Sequence, residues 1–283
     1  MEIIERRVQE IGKSLLTTLP KGWTKSLKIK KGDKIKLMVT ENGNLIIAPE
    51  FVKSETKKHA SIQFDSNFKR KFFQEYFNGN ETISIKFNSA IAEKDRKEIY
   101  SFLKRFMNSQ IIEETKSEII VKSFRIEELS IEECLKRMQF LSLSMLEEFY
   151  GNNQKIKIQE MRDTMTRFYY ILVMQIRRFL SEGKYTDQNQ ISLIRAMDIR
   201  MVAEKVQRVA EHIANLQKNP KITSLVKEID SYYSKSIKYF IEEDFDKALP
   251  LWNDSKSLQK KCTANNELAQ MVRLSKEISM LVR

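Results

Sequence analysis

Cysteine, histidine, proline and glycine are all scarce in this chain: 283 residues hold 2 Cys, 2 His, 4 Pro and 7 Gly. Each shortage excludes something. Two cysteines, Cys134 and Cys262, far apart and without ligand-like neighbours, exclude a disulfide framework and a clustered CxxC zinc site. Both fall on apolar helical stripes, where a thiol acts as a small buried hydrophobe. His59, in a Lys-rich stretch read as a linker, and His212, on an amphipathic helix, are too isolated for a catalytic or metal-binding set. A Walker-type glycine loop is missing, and no Ser/His/Asp order is compelling, so no enzymatic activity is expected. Long apolar runs are missing too. Nothing approaches the roughly 18 residues of a membrane span, which argues against membrane insertion. Met1 leads straight into charged residues rather than a signal peptide, and a cytoplasmic protein is expected. Few glycines and prolines leave few special turns, so long helices should dominate. Four of the seven glycines, Gly12, Gly22, Gly32 and Gly43, lie in the first fifty residues: the turns are at the front and the helices behind.

What is abundant is positive charge. Lys and Arg number 50 against 38 Asp and Glu, a net charge of +12 and a pI of about 9.5. That balance suits a nucleic acid, an anionic membrane surface, or solubility alone. The length suits two or three domains.

The first fifty residues contain four short strand-like pieces around one brief helical piece. Val8, Ile11, Leu15, Leu16 and Leu19 mark two extended pieces. Pro20 precedes a short helical turn over 21–27, where a proline at the start loses no useful hydrogen bond. Lys31-Gly32-Asp33 reads as a tight turn. Ile35, Leu37 and Val39 alternate with Lys34, Lys36 and Met38, a period-two strand. Asn42-Gly43 is a hairpin signal, and Leu45 and Ile47 answer on the return strand. So few residues cannot build a useful core in one copy. The unit has to borrow its core from a partner, which points to an obligate dimer with a basic face.

The run Gly12-Lys13-Ser14, Thr18-Leu19-Pro20-Lys21-Gly22-Trp23 and Leu27-Lys28-Ile29-Lys30-Lys31-Gly32-Asp33 resembles the AbrB/SpoVT swapped-hairpin domain, a fold shared with MazE-type antitoxins. The resemblance covers about residues 3–49. It implies two interleaved chains presenting basic residues to double-stranded DNA, with Arg6, Arg7, Lys13, Lys21 and Lys25 at the DNA face. Lys and Arg there would contact phosphates, and some Arg would read base edges. A second reading, in which these charges only solvate a small domain, stands beside it. Lys28, Lys30 and Lys31 are weaker candidates, because the turn they flank needs charge for solubility in any case.

The middle segment reads strand–helix–strand–helix–strand–strand: strands over 60–64 and 82–87, helices over 68–77 and 93–107, and a hairpin over 110–114 and 119–124. This suggests a small α/β layer, one sheet face covered by two helices. Phe68, Phe72, Phe73, Tyr76 and Phe77 line one helix side and Ile99, Phe102, Leu103 and Phe106 the next, stripes better explained as core than as a ligand site.

From about Ser130 the pattern is entirely helical. One stripe runs Ile131, Cys134, Leu135, Met138, Leu141, Met145, Leu146 and Phe149, and ends at Gly151-Asn152-Asn153. A second runs Ile158, Met161, Met165, Phe168, Leu172, Ile176 and Phe179, broken by Gly183. A third runs Ile191, Ile194, Met201, Val202, Val206, Val209, Ile213 and Leu216, ended near Asn219-Pro220. Three shorter helices follow over 223–243, 245–262 and 265–282. Two sets of three antiparallel helices, an internal repeat, is the natural reading.

Here 162–170 (RDTMTRFYY) and 198–213 (DIRMVAEKVQRVAEHI) resemble the second- and third-helix motifs of PhoU proteins. Residues 111–115 and the helix over 129–145 look like the lead-in of archaeal proteins that join a swapped hairpin to PhoU repeats. The expected fold class is therefore α+β multidomain: a swapped-hairpin domain over 1–50, an α/β connecting domain over 56–128, and a PhoU-like helical domain of two three-helix repeats over 129–283. The resemblance implies regulation of phosphate uptake, through a transporter ATPase or another regulatory protein. PhoU repeats carry a Glu-x-x-x-Asp pair on the third helix and an acidic pair on the second, which together hold metal ions. This chain has Gln207 and Glu211 at the first pair, and Thr164 and Thr166 with Asp163 nearby at the second. In the second repeat Asp254 stands with Lys256 and Leu258, and Arg273 with Glu277. Losing several carboxylates removes the charge that offsets dehydrating a hard cation. The metal clusters are read as degenerate, and no cofactor is expected.

Three functions follow. One is a dimeric DNA-binding transcription regulator of phosphate-related genes. Another is a protein–protein regulator whose hairpin only dimerises. The least favoured is a metal-dependent or phosphate-binding enzyme, for which the depleted carboxylates leave little chemistry.

Overall fold

The structure, a computed structural model, describes residues 4–39, 43, 45–49, 59–126, 129–182, 191–218 and 220–283. Asn42, Gly183 and Asn219, read above as turn or helix-end positions, lie outside the described residues. The chain divides into two compact units, Met1–Lys57 and Lys58–Arg283.

Among the described residues the first unit holds four strands and one helix: β1 (Gln9–Ile11), β2 (Ser14–Leu16), α1 (Lys21–Ser26), β3 (Ile35–Val39) and β4 (Leu45–Pro49). The strands β1 and β2 form one antiparallel pair, and β3 and β4 another. Val8 and Leu19, expected in the first two strands, lie just outside them, since each strand is only 3 residues long.

The second unit begins with the sheet layer. Its elements are β5 (His59–Gln63), α2 (Phe68–Phe77), β6 (Thr82–Lys86), α3 (Glu93–Leu103), β7 (Ser109–Glu114) and β8 (Glu118–Ser123). His59 is not in a linker: it opens β5, with its Nε2 3.4 Å from the Ser84 hydroxyl. Strand order is β5-β6-β8-β7, with β5 and β6 parallel and the other pairs antiparallel. A parallel neighbour needs a crossover, and α2 supplies it. The register puts Ile62, Ile83, Ile85, Ile119 and Val121 on one face, all buried under α2 and α3. A bulge at Ile112 interrupts the β7–β8 ladder and leaves that side chain exposed.

Among the described residues six helices follow: α4 (Ile131–Tyr150), α5 (Lys155–Glu182), α6 (Leu193–Asn215), α7 (Pro220–Glu242), α8 (Phe245–Lys261) and α9 (Asn266–Ser279). Their starts are written locally. Ser130 and Glu133 form a reciprocal capping box on α4, at 3.1 and 2.7 Å. Ser192, Asp244 and Asn265 each accept a backbone N–H at the head of α6, α8 and α9. Helices α4, α5 and α6 pack together, as do α7, α8 and α9, and the two triplets meet along α4–α7 and α6–α9. One continuous apolar core runs through both. Across the α4–α7 seam the buried Ser142 and Tyr233 hydroxyls bond at 2.8 Å. Across α6–α9, His212 Nδ1 meets Glu267 at 2.6 Å and Lys205 meets Glu277 at 2.9 Å. Cys134 and Cys262 are buried free thiols, and burial pushes the Cys134 thiol up to about 12.

The expected α6 stripe needs a correction. Ile194 and Met201 are 50% and 40% exposed, while Ala196, Ile199, Val202, Ala203, Val206, Val209, Ala210 and Ile213 are buried. At about 100° per residue, Met201 points well away from its buried neighbour Val202, and Ile194 and Met197 fall on the same outer strip as Met201.

Layer and bundle share an aromatic cluster. Phe106 contacts Phe72, Phe73, Tyr76 and Phe102 at 4.7–5.3 Å between centroids, and Tyr170 of α5 stacks on it at 5.4 Å. Phe106→Ala should therefore destabilise this unit by about 3–5 kcal/mol, read as a shift of the urea midpoint at constant slope. A loss below about 1 kcal/mol would show that Phe106 is not the centre of the cluster.

Candidate nucleic-acid interface

In the first unit, not one of the residues whose exposure is described is buried. The β3–β4 register puts Ile35, Leu37, Val39, Leu45, Ile47 and Pro49 on one face. Of these, Leu37, Val39 and Leu45 are 60%, 73% and 52% exposed. Leu15, on β2, is 76% exposed. Burying one such side chain is worth about 1.5–3 kcal/mol, and one copy of the chain realises little of it here. The strands are ordered by turns and ladder hydrogen bonds, with their apolar face uncovered.

The turns are chemically specified. Ile11 pairs with Ser14, so β1 and β2 are joined by the two residues Gly12-Lys13. Gly12 has φ +64°, and its place at the first central position matches a type II′ hairpin turn, which needs positive φ there alone. The Lys30–Asp33 turn is closed twice: Asp33 N–H donates to Lys30 O at 3.2 Å, and Lys30 N–H donates to Asp33 Oδ2 at 2.7 Å. Gly32 supplies its φ of +94°.

Helix α1 starts after Pro20 and ends in a Schellman arrangement. Ile29 N–H donates to Thr24 O at 2.9 Å and Lys28 N–H to Lys25 O at 3.1 Å. The residue in the left-handed position is Lys28, with φ +54°, where glycine is the usual occupant. Only the backbone reveals this; the sequence pattern holds no glycine or asparagine there to signal it.

These elements set the five candidate contacts, all of them exposed. Arg6 and Arg7 lie in the extended segment before β1. Lys13 occupies the tip of the β1–β2 turn, at the opposite end of β1. Lys21 and Lys25 are four residues apart and therefore share one face of α1. The structure thus groups Lys21 with Lys25 and separates Arg6 and Arg7 from Lys13 along the hairpin.

Residues 8–57 match the MazE antitoxin family. Its description is antidote-toxin recognition MazE, bacterial antitoxin. Domains of the MazE/AbrB kind dimerise and bind DNA. The match covers the hairpin unit and no residue of the sheet layer or bundle. Comparison with curated proteins and with solved structures gives no match.

In the second unit, Asp163 and the two threonines of the 162–170 motif lie on α5, and Gln207 and Glu211 on α6. Asp163 accepts from Arg162 at 2.8 Å, and Glu211 accepts from Gln207 Nε2 at 3.3 Å. The Thr164 and Thr166 hydroxyls donate back to Glu160 O and Arg162 O of their own helix, at 2.8 and 3.0 Å. In the second repeat Glu277 is paired with Lys205 and Arg273. Among the described residues, no three His, Cys, Asp or Glu side chains come together as a ligand set. Also among the described residues, no helix is long and apolar enough to cross a membrane.

Replacing Lys28 with glycine removes a left-handed backbone penalty of about 1 kcal/mol. Lys28→Gly should raise the stability of the hairpin unit by that order, read from Trp23 fluorescence during urea unfolding in a Trp252→Phe background. A decrease would mean that the Lys28 side chain makes contacts that outweigh its backbone strain.

Proposed function

We propose that the chain is a homodimeric, DNA-binding transcription regulator, and that its targets are genes of phosphate uptake and phosphate homeostasis. The observation that carries the first part is the hairpin unit itself. It matches the MazE family over residues 8–57, leaves an apolar β3–β4 face uncovered, and exposes Arg6, Arg7, Lys13, Lys21 and Lys25. A second copy offers a cover of the same pattern. Two copies then carry twice the five cations to one DNA duplex, which suits a two-fold symmetric site. The phosphate part is supported by the PhoU-like motifs at 162–170 and 198–213, which fall on α5 and α6 of a six-helix arrangement built as two triplets. In this reading the helical half receives the signal, uses no resident metal, and works in the cytoplasm.

The alternative is a protein–protein regulator that docks on a phosphate transporter ATPase or signalling partner and uses the hairpin only to dimerise. The matched family's description adds a further possibility for the same surface, recognition of a toxin protein.

Three measurements test these readings. Leu37→Asp puts a charge at the centre of the uncovered face, and should convert a dimer into a monomer by sedimentation at micromolar concentration. An unchanged dimer mass would place the interface elsewhere. DNA affinity should fall steeply with salt, by about 10³–10⁵ between 50 and 200 mM if six to ten phosphates are contacted. Arg7→Ala should lower the log–log slope by about 2 per dimer. A flat salt response, or full function with Arg6, Arg7 and Lys13 neutralised, favours the protein–protein reading. A genome-wide occupancy map in phosphate-rich and phosphate-starved cells tests the target genes: sites near transporter genes support the proposal, and an empty map removes it.

A further inference from the structure

A cleft of about 760 Å³ opens in the second unit between α3 of the sheet layer and helices α5 and α6. That volume is in the range of small-molecule sites. Its lining includes five cations, Lys69, Lys104, Arg105, Arg162 and Arg167, against three carboxylates, Glu98, Asp163 and Glu211. The pairing inside it is uneven. Lys69 is neutralised by Glu98 at 2.6 Å and Arg162 by Asp163 at 2.8 Å. Lys104, Arg105 and Arg167 have no carboxylate within ion-pair distance among the described residues. Glu211 is held by the Gln207 amide and, among the described lining residues, is the one carboxylate left to set against those three. Arg167 is the sharpest case: its Nε is buried and has no hydrogen-bond partner. A guanidinium stays charged at any physiological pH, so a buried N–H of this kind without an acceptor is costly. An acceptor brought in from solution would remove that cost.

We propose that this cleft binds a small phosphate-bearing anion, with Arg167 as its anchor and Lys104 and Arg105 completing the charge. A cation is the poorer occupant, because positive charge is in excess and the Thr166 hydroxyl is already committed to the helix backbone. A partner protein is disfavoured by the shape, a concave site with its charge gathered around the half-buried Arg167, whose Nε is fully covered. Phosphate oxygens fit the fork geometry of arginine and accept several N–H donors at once. The inference concerns ligand binding alone and stands whether or not the hairpin unit binds DNA.

The test is calorimetric titration of the full-length chain, without DNA, using inorganic phosphate and pyrophosphate as separate probes and sulfate as a control. Saturable binding of either phosphate probe, stronger than that of sulfate, is expected. Preference for pyrophosphate would identify a condensed-phosphate or nucleotide-like ligand, and preference for phosphate a single group. Arg167→Gln should weaken binding by about tenfold or more, the cost of losing one charge-assisted contact. Lys104→Gln, a change at an exposed position, should weaken it without threatening the fold, which guards against an Arg167 variant that does not fold. Lys21→Gln with Lys25→Gln should leave affinity unchanged. Absence of binding at millimolar probe would overturn the proposal. So would equal binding of sulfate, unchanged affinity in both cleft variants, or loss of binding in the Lys21/Lys25 variant.

Discussion

Tyr170 reaches from α5 into the aromatic core of the sheet layer, where it stacks on Phe106 and meets Phe73 and Phe77 edge-on at 5.4 and 5.7 Å. Aromatic pairs of this geometry add about 0.5–1.5 kcal/mol each beyond their buried area. Met174, one helical turn further on, packs against the same cluster. These contacts hold the α/β layer against the bundle, and the rest of the second unit is arranged around them. The cleft between α3, α5 and α6 exists because α5 is pinned there. Tyr170 lines that cleft as well as the core, so the same residue sets the packing and shapes the cavity. Burial raises the pKa of its hydroxyl further above the ordinary tyrosine value.

The first unit obeys the opposite constraint. Its strands are fixed by turn chemistry and ladders, while its apolar side chains remain in solvent. A second chain, or a partner of the same pattern, is the physical answer to that exposure. The exposed cations then acquire spacing and symmetry that one copy does not have. The two units thus divide the work in the proposed regulator: the hairpin gains both its core and its binding surface by association, and the helical unit folds on its own core and offers a separate cavity.

Much of the architecture was legible in particular residues. The helix over 68–77 has the bounds of α2, because Phe68, Phe72 and Tyr76 repeat at helical spacing between loop-forming Asn67 and Gly79. The hairpin over 110–124 and both triplets of helices follow the same logic of period and breaker. Where the reading failed, chemistry and periodicity competed. His59 reads as linker because lysines surround it, yet it opens β5, the parallel neighbour of β6, a pairing no local signal announces. Ile194 and Met201 are apolar and lie near the stripe, but the helix turns them off it. The candidate DNA contacts were legible as charges in an order of motifs; the separation of Arg6 and Arg7 from Lys13 was not.

By itself the sequence determined the kinds of element, their order, and the fact that its first fifty residues lack the means to bury a core, because period, turn residues and composition are local properties. Only the tertiary structure decided which charges find partners. Residues far apart in the chain, Lys104 and Arg105 on one side and Arg167 on another, meet around one cleft because Tyr170 docks α5 on the sheet layer. Whether a buried N–H such as the Arg167 Nε is satisfied depends on which acceptors the fold brings within about 3 Å of it. That is a property of packing, and no pattern along the chain carries it.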